Sequence, residues 1–233
     1  MKKYSVIIPA YNPPEELIDM VEQLTWAEIP AIIVINDGSS KEYQTIFNQV
    51  NAFNNTHVIT HEVNQGKGMG LKNGFAYHYK NFKNLKGAVT ADADGQHRVE
   101  DVIGVGDLLV KRESEYVLGM RDFKTDNVPM RSIIGNRLSS KVFRLLYGVS
   151  FYDTQTGLRA VKTSEMPALM RLSGDGFEFE LSMLIHMAKQ KKSVVKTDIK
   201  TVYANEHSSH FNTIIDTIKV GKIMLMNKSD KIK

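Results

Sequence analysis

Short apolar runs alternate with longer stretches whose apolar positions recur at helical spacing, and this alternation organises the first half of the chain. Residues 5–9, 31–35, 57–62 and 88–91 carry the apolar, partly β-branched runs expected of strands, and residues 14–26, 41–53, 67–82 and 99–112 between them carry the helical period. Strands that are apolar on both faces and separated by helices predict an α/β fold. Its central sheet is Rossmann-like and mostly parallel, with helices on both faces. The helix starts agree: Pro13 and Pro14 precede Glu15 and Glu16, and Ser39 or Ser40 stands where the helix containing Glu42 needs a cap. Beyond Lys111 the pattern is mixed, with strands near 116–118, 158–162 and 194–203 and helices over 131–147 and 177–189. A last amphipathic stretch, 213–226, follows.

Composition narrows the class. The 233 residues are 42% hydrophobic and 24% charged, with no Pro, Gly or Ser-rich linker and no fixed repeat, so one domain with one substantial core is expected. The absence of cysteine excludes disulfides, thiolate catalysis and zinc-thiolate sites, and suits a reducing compartment. Two lysines and a short apolar run that ends at Pro9 are too little for a signal sequence or a membrane span. The net charge of +4 favours anionic partners. Without a dense basic run interleaved with aromatics, nucleic acid is set aside in favour of phosphates and anionic lipid.

In open parallel sheets ligands lie beyond the carboxyl ends of the strands. The residues there are Ala10, Tyr11 and Asn12 after the first strand, 36–39 after the second, 64–70 after the third and 92–97 after the fourth, so polar, acidic and glycine residues gather at every exit.

The fourth exit is the sharpest. Asp92 and Asp94 are separated by one alanine, and in extended chain such positions point the same way, so both carboxylates can face one point. Two close like charges repel unless a proton or cation intervenes. A divalent ion with oxygen ligands, which also bridges substrate phosphates, resolves the conflict, and Gln96 and His97 can join it. The same triplet also suits an Asx turn before Gly95 and a cap for the next helix. At the second exit, Asp37 can accept hydrogen bonds from a base or ribose, or simply form the turn that Ser39 caps. At the third, the amides of residues 64–70 and Lys67 can meet phosphate or stabilise a nucleotide-facing turn. The spacing is not that of a P-loop, and Leu71 stands where a dinucleotide fingerprint has its third glycine. His61-Glu62 lacks the second histidine of a zinc protease motif and is given no chemistry.

Taken in order, Ser5-Val6-Ile7-Ile8-Pro9-Ala10-Tyr11-Asn12, Asn36-Asp37-Gly38-Ser39, Asn64-Gln65-Gly66-Lys67-Gly68 and Asp92-Ala93-Asp94-Gly95-Gln96-His97 resemble the family 2 inverting glycosyltransferases. The likeness is to the polyprenyl-phosphate branch, which includes dolichyl-phosphate mannose synthases. It continues through Gly119-Met120-Arg121, Arg131, Asn136-Arg137, the run from Asp153 to Arg159, and Ser208-Ser209-His210-Phe211-Asn212, nearly the whole chain.

The resemblance implies a glycosyltransferase A-type fold with a nucleotide-binding half over 1–97, an acceptor half over 98–212 and an amphipathic end over 213–233. It implies a donor site of Pro9, Ala10, Tyr11, Asn12, Asp37, Lys67 and Asp92, and magnesium or manganese held by Asp92, Asp94 and Gln96. Asp94 and Asp153 would be catalytic, Asp153 as a base or an acceptor-orienting carboxylate. Arg121, Arg131, Arg159, Ser209 and His210 would hold the acceptor phosphate. The implied partners are a UDP- or GDP-linked sugar and a polyprenyl phosphate, met in the cytoplasm at the inner face of the membrane, in cell-envelope glycan synthesis.

Two positions depart from the family pattern: Pro13 stands where a glutamate often follows the Tyr-Asn pair, and Asn36 replaces the first of two aspartates, which leaves uracil and guanine both open. Transfer to a saccharide or other hydroxyl, a non-catalytic sugar-nucleotide module and a nucleotidyltransferase are the competing readings. Residues 213–226 fit either a helix docked on the core or one lying on a membrane with peripheral contact.

Overall fold

The computed structural model describes residues 2–121, 140–141, 143–151, 153 and 156–200. Seven strands alternate with helices: β1 (Tyr4–Ala10), β2 (Ile32–Asn36), β3 (Thr56–Thr60), β4 (Gly87–Thr90), β5 (Tyr116–Arg121), β6 (Arg159–Lys162) and β7 (Val194–Ile199). They form one sheet in the order β3-β2-β1-β4-β6-β5-β7. Only β6 among them runs against its neighbours β4 and β5; the other pairings are parallel. This is the expected mostly parallel sheet.

The period of two sorts each central strand between two cores. Every residue of β1 and β2 is buried. Val6, Ile8, Ile32 and Val34 pack on one face with Leu17, Val21 and Leu24 of α1 (Glu16–Trp26), Phe47 and Val50 of α2 (Gln44–Asn51), and Val102, Val105 and Leu109 of α4 (Val99–Arg112). Ile7, Ile33 and Ile35 pack on the other with Leu71 and Phe75 of α3 (Lys67–Asn81) and with Phe179, Met183 and Leu184 of the helix Glu178–Lys189. Each such side chain contributes roughly 1.5–3 kcal/mol when removed from water, which is why a register slip in either strand is strongly disfavoured.

Several boundaries shift for identifiable reasons. The helix expected over 41–53 opens as a 3₁₀ turn, Lys41–Tyr43, before α2 begins. Ser40 occupies its N-cap without a side-chain cap bond, because Ser39 and Ser40 are bonded instead to Asn12 and Asn36. β3 stops at Thr60, where the His61 ring turns onto Asp37. Of the helix expected over 131–147, residues 140–141 and 143–147 are helical; Arg131 itself, and the stretch 213–226, lie outside the described residues. No helix among the described residues is long and apolar enough to cross a membrane.

The topology sets the site. From β1 the chain steps outward to β2 and β3, then returns to the other side of β1 as β4, so the strand order reverses between β1 and β4. The ladder continues past β4 through the Ala91 N–H to the Ile7 carbonyl, which brings Asp92 out beside the end of β1.

Candidate donor site at the strand exits

A cavity of about 830 Å³ opens at this reversal, with Pro9, Ala10, Tyr11, Asn12, Asp37, Lys67, Asp92 and Asp94 in its wall. Every position expected from the sequence to meet the nucleotide therefore faces one space. Tyr11 stands at its rim, 40% exposed.

The β1 and β2 exits are stitched together. Asn12, in the left-handed region at φ 48°, donates its N–H to Ser39 Oγ at 2.9 Å and accepts the Ser40 N–H on Oδ1 at 2.9 Å. The buried Asn36 accepts the Ser39 N–H on Oδ1 at 3.0 Å. A carboxylate oxygen would do the same, so either residue type at position 36 keeps this turn.

Asp37 is buried, and its carboxylate gathers the third exit. Oδ1 accepts from the Gln65 N–H at 2.8 Å and from His61 Nδ1 at 2.7 Å, and Oδ2 accepts from the Gly66 N–H at 2.8 Å. Asn73 Nδ2 lies 2.8 Å from His61 Nε2, so the ring bridges Asp37 and Asn73. Given no chemistry on sequence grounds, His61 belongs to the support of the site.

At the start of α3 the Met69 N–H bonds to the Asp175 carbonyl and the Gly70 N–H to the Gly66 carbonyl. With Gln65 and Gly66 held by Asp37, this turn uses its amides to build itself. The structure contains the stabilised turn expected of residues 64–70. Gly66 adopts φ 97°, and a Cβ there would stand 2.4 Å from the Asp175 carbonyl oxygen.

Lys67, delivered by that turn, places Nζ 2.6 Å from Asp92 Oδ1 and 3.2 Å from Glu180 Oε1, and 5.5 Å from the centre of the Phe177 ring. His97 Nε2 lies 3.3 Å from Asp92 Oδ2 and, facing a carboxylate, carries the proton. Burial works to raise the Asp92 carboxyl, but the Lys67 ammonium and the His97 ring outweigh it and hold it below the carboxylate range. Burial also opposes the Lys67 charge, and Asp92 with Glu180 more than compensates, so its pKa lies above the lysine value. Asp94 behaves oppositely: burial and then the Asp92 charge push it up, against the Gln96 N–H that it accepts on Oδ1 at 3.0 Å. The Asx turn and the shared carboxylate face expected of this triplet thus coexist.

Among the described residues no group of three or more His, Asp or Glu side chains stands at ligand spacing. Two carboxylates at one strand exit, one raised by the other's charge, fit a hard divalent ion that completes its shell with water and substrate phosphate. They do not form an all-protein cage.

Of the expected acceptor residues, Arg121 and Arg159 are described, together with Asp153. Arg121 and Asp153 pair with each other: Nε to Oδ2 at 2.7 Å, Nη2 to Oδ1 at 3.0 Å, and the Arg121 N–H to Oδ2 at 3.2 Å. Asp153 is fully buried. Arg159 is also fully buried, donating from Nε to the Thr156 carbonyl at 2.9 Å and from Nη1 to the Glu180 carbonyl. Burial lowers its pKa, with Glu180, Asp153 and Asp92 opposing, which places this guanidinium in the field of the site floor. Arg131, Ser209 and His210 lie outside the described residues.

Glu180, Gly176, Phe177 and Tyr43 are among the site residues that sequence reasoning missed. A signal was present: Gly174-Asp175-Gly176 leads into a helix with Glu178 and Glu180 in its first turn.

An acidic cleft at the switch point of a seven-stranded, mostly parallel sheet with one reversed strand defines the class, the nucleotide-sugar-binding α/β enzymes with the glycosyltransferase A-type fold. The chain belongs to glycosyl transferase family 2, whose family model matches residues 5–155. It is a glycosyltransferase that uses a nucleotide-sugar donor.

The chain is 31% identical to a UDP-N-acetylglucosamine–dolichyl-phosphate N-acetylglucosaminyltransferase of Methanococcus voltae, over 97% of this chain and 96% of the relative. It is 26% identical to glycosyltransferase AglJ of Haloferax volcanii, over 95% of this chain and 69% of the relative. Its fold matches glucosyl-3-phosphoglycerate synthase of Mycobacterium tuberculosis solved with Mn2+, UDP and phosphoglyceric acid, with a TM-score of 0.72 at 16% identity over 100% of this chain and 80% of that one. The same synthase with Mg2+ and UDP gives 0.70 at 16% identity, over 100% and 81%.

Proposed function

We propose that this protein transfers a sugar from a uridine diphosphate donor to a polyprenyl phosphate, with inversion and with the help of Mg2+ or Mn2+. The observation that carries the reading is the meeting of Asp92, Asp94 and Lys67 with Asp37 and Tyr11 in one cavity. The Methanococcus voltae relative, similar over nearly the full length of both chains, supports the donor and acceptor classes.

In this reading Tyr11 offers a ring to the base at the cavity rim. Asp37 already takes two N–H donors on Oδ1 and one on Oδ2, so Oδ2 keeps one acceptor position. One acceptor suits the single imide N–H of uracil better than the paired donors of guanine. Lys67 supplies positive charge to the diphosphate. Asp94, with Asp92 and with Gln96 shaping its turn, would hold the divalent ion, which stabilises the charge that grows on a departing diphosphate.

A phosphate acceptor is already anionic near neutral pH and needs no base to activate it. Buried and gripped in a two-pronged ion pair, Asp153 suits the orienting of Arg121 rather than proton abstraction. A polyprenyl acceptor puts the reaction at a membrane surface, in this reading the cytoplasmic one, where the amphipathic period of residues 213–226 would be useful.

The test is incubation with radiolabelled UDP-N-acetylglucosamine, UDP-glucose and GDP-mannose in the presence of a polyprenyl phosphate. Label from a UDP donor in the organic phase is expected. Label in water-soluble glycan would replace the acceptor assignment with a hydroxyl, and donor binding without turnover would reduce the protein to a binding module.

A further inference from the structure

An unequal set of charges lies in and behind the cavity wall. Asp92, Asp94 and Glu180 face two cations, Lys67 and Arg159. Arg159 is fixed, fully buried and bonded to two backbone carbonyls. Lys67 is different: its ammonium ends a flexible four-carbon stem and has a carboxylate on either side, Asp92 at 2.6 Å and Glu180 at 3.2 Å. Both Asp92 oxygens are engaged, one by Lys67 and the other by His97. A divalent ion that draws on Asp92 meets an ammonium already 2.6 Å from one of its oxygens; repulsion between the two cations favours displacing the ammonium, and Glu180 gives it somewhere to go. Glu180 is itself 6% exposed, a carboxylate that is hard to account for in a helix flank without a charge partner.

Resting on the donor reading above, we propose that Lys67 and the divalent ion compete for Asp92, with Glu180 as the alternative seat of the ammonium. The ion then enters the site together with the donor diphosphate, whose oxygens receive the displaced Lys67. Metal and nucleotide binding are in this way coupled through one side chain, each raising the affinity of the other by the same factor.

The experiment is a titration of the full chain with Mn2+, alone and with UDP, free Mn2+ being read by electron paramagnetic resonance. Wild type is expected to take up Mn2+ weakly alone and strongly with UDP. Lys67→Met should bind Mn2+ alone about tenfold more tightly than wild type, and the gain conferred by UDP should shrink about tenfold, the scale of one close charge pair in a partly solvated site. Because Lys67→Met leaves Glu180 buried beside no ammonium, the double variant Lys67→Met/Glu180→Gln is measured alongside and should show the same tightening. Glu180→Gln alone, which removes the alternative seat, should weaken uptake of Mn2+ without nucleotide. Normal UDP-dependent uptake by wild type, with both Lys67 variants binding Mn2+ alone no more tightly than wild type, overturns the competition and leaves the donor reading intact. Failure of wild type to take up Mn2+ with UDP overturns the donor reading and the competition together.

Discussion

At Asp94, burial and the neighbouring Asp92 charge act in the same direction, so the ionised side chain is held at some expense to the fold. Asp94→Asn is therefore expected to lower transfer by about a hundredfold to a thousandfold, the scale seen when one group aimed at developing charge is lost. Its melting temperature should equal or exceed that of wild type. A calorimetric scan beside the radiolabel assay checks both halves, and a variant with full turnover would remove the metal role.

His78 allows a pH prediction away from the chemistry. It is fully buried, accepting from Ser5 Oγ on Nδ1 at 2.7 Å. From Nε2 it donates at 3.0 Å to Thr163 Oγ1, which itself donates to the Leu85 carbonyl. Burial lowers its pKa from 6.5 to about 4. The unfolded chain then binds the proton more readily than the fold, so stability falls as pH drops from 6.5 towards 4. Between pH 7.5 and 4.5 this one group should remove about 2–3 kcal/mol. Urea unfolding at the two pH values measures it, and His78→Gln should flatten the difference.

Single residues were legible where local geometry decides their role. Asp92 and Asp94 share a face because extended chain repeats every two residues, whatever surrounds it. The resemblance gives Arg159 a phosphate-binding role with no sign of its full burial, because nothing local says that β6 lies between β4 and β5. Arg121 and Asp153 received separate roles for a related reason: their pairing joins residues distant in the chain.

Among the elements, β1, β2 and the helices around them follow from the hydrophobic period, and the places where that period misleads are turns with their own hydrogen-bond plan. The Ser39 and Ser40 hydroxyls look like caps, but two neighbouring exit loops claim their groups first. The start of α3 looks like a phosphate cradle, but Asp37 and Asp175 take four of the bonds that set its shape, counting the His61 contact that steadies Asp37. Gly66 in this turn therefore answers to protein backbone. Gly66→Ala would combine a left-handed φ of 97° with a Cβ 2.4 Å from the Asp175 carbonyl oxygen. A loss of about 3 kcal/mol or more is expected from strain and overpacking together, measured by chemical denaturation, with donor affinity falling in the surviving folded fraction.

For the whole molecule, the donor reading predicts linked stabilisation. A ligand that binds only the fold adds about 2.7 kcal/mol at a hundredfold excess over its Kd, which for a chain of this length raises the melting temperature by roughly 5–10 °C. UDP with Mn2+ is expected to reach this range, UDP with a chelator to fall well short, and GDP with Mn2+ to give little. A GDP shift equal to that of UDP would count against the single open acceptor of Asp37. The overall architecture was readable because alternating strands and helices leave few right-handed, unknotted ways to assemble. The reversal of β6 was not, since a four-residue strand, Arg-Ala-Val-Lys, carries no sign of its direction.

The contact between the turn at Gly66 and the segment at Asp175 and Gly176 joins two stretches of the cavity wall, distant in the chain, into a single mechanical part. Chimaeras that exchange the later half of the chain with that of a relative, to redirect acceptor choice, would split this part between two parents. A graft should therefore carry residues 64–70 and 174–180 from the same source, or the swapped enzyme will lose its donor before its new acceptor can be tried.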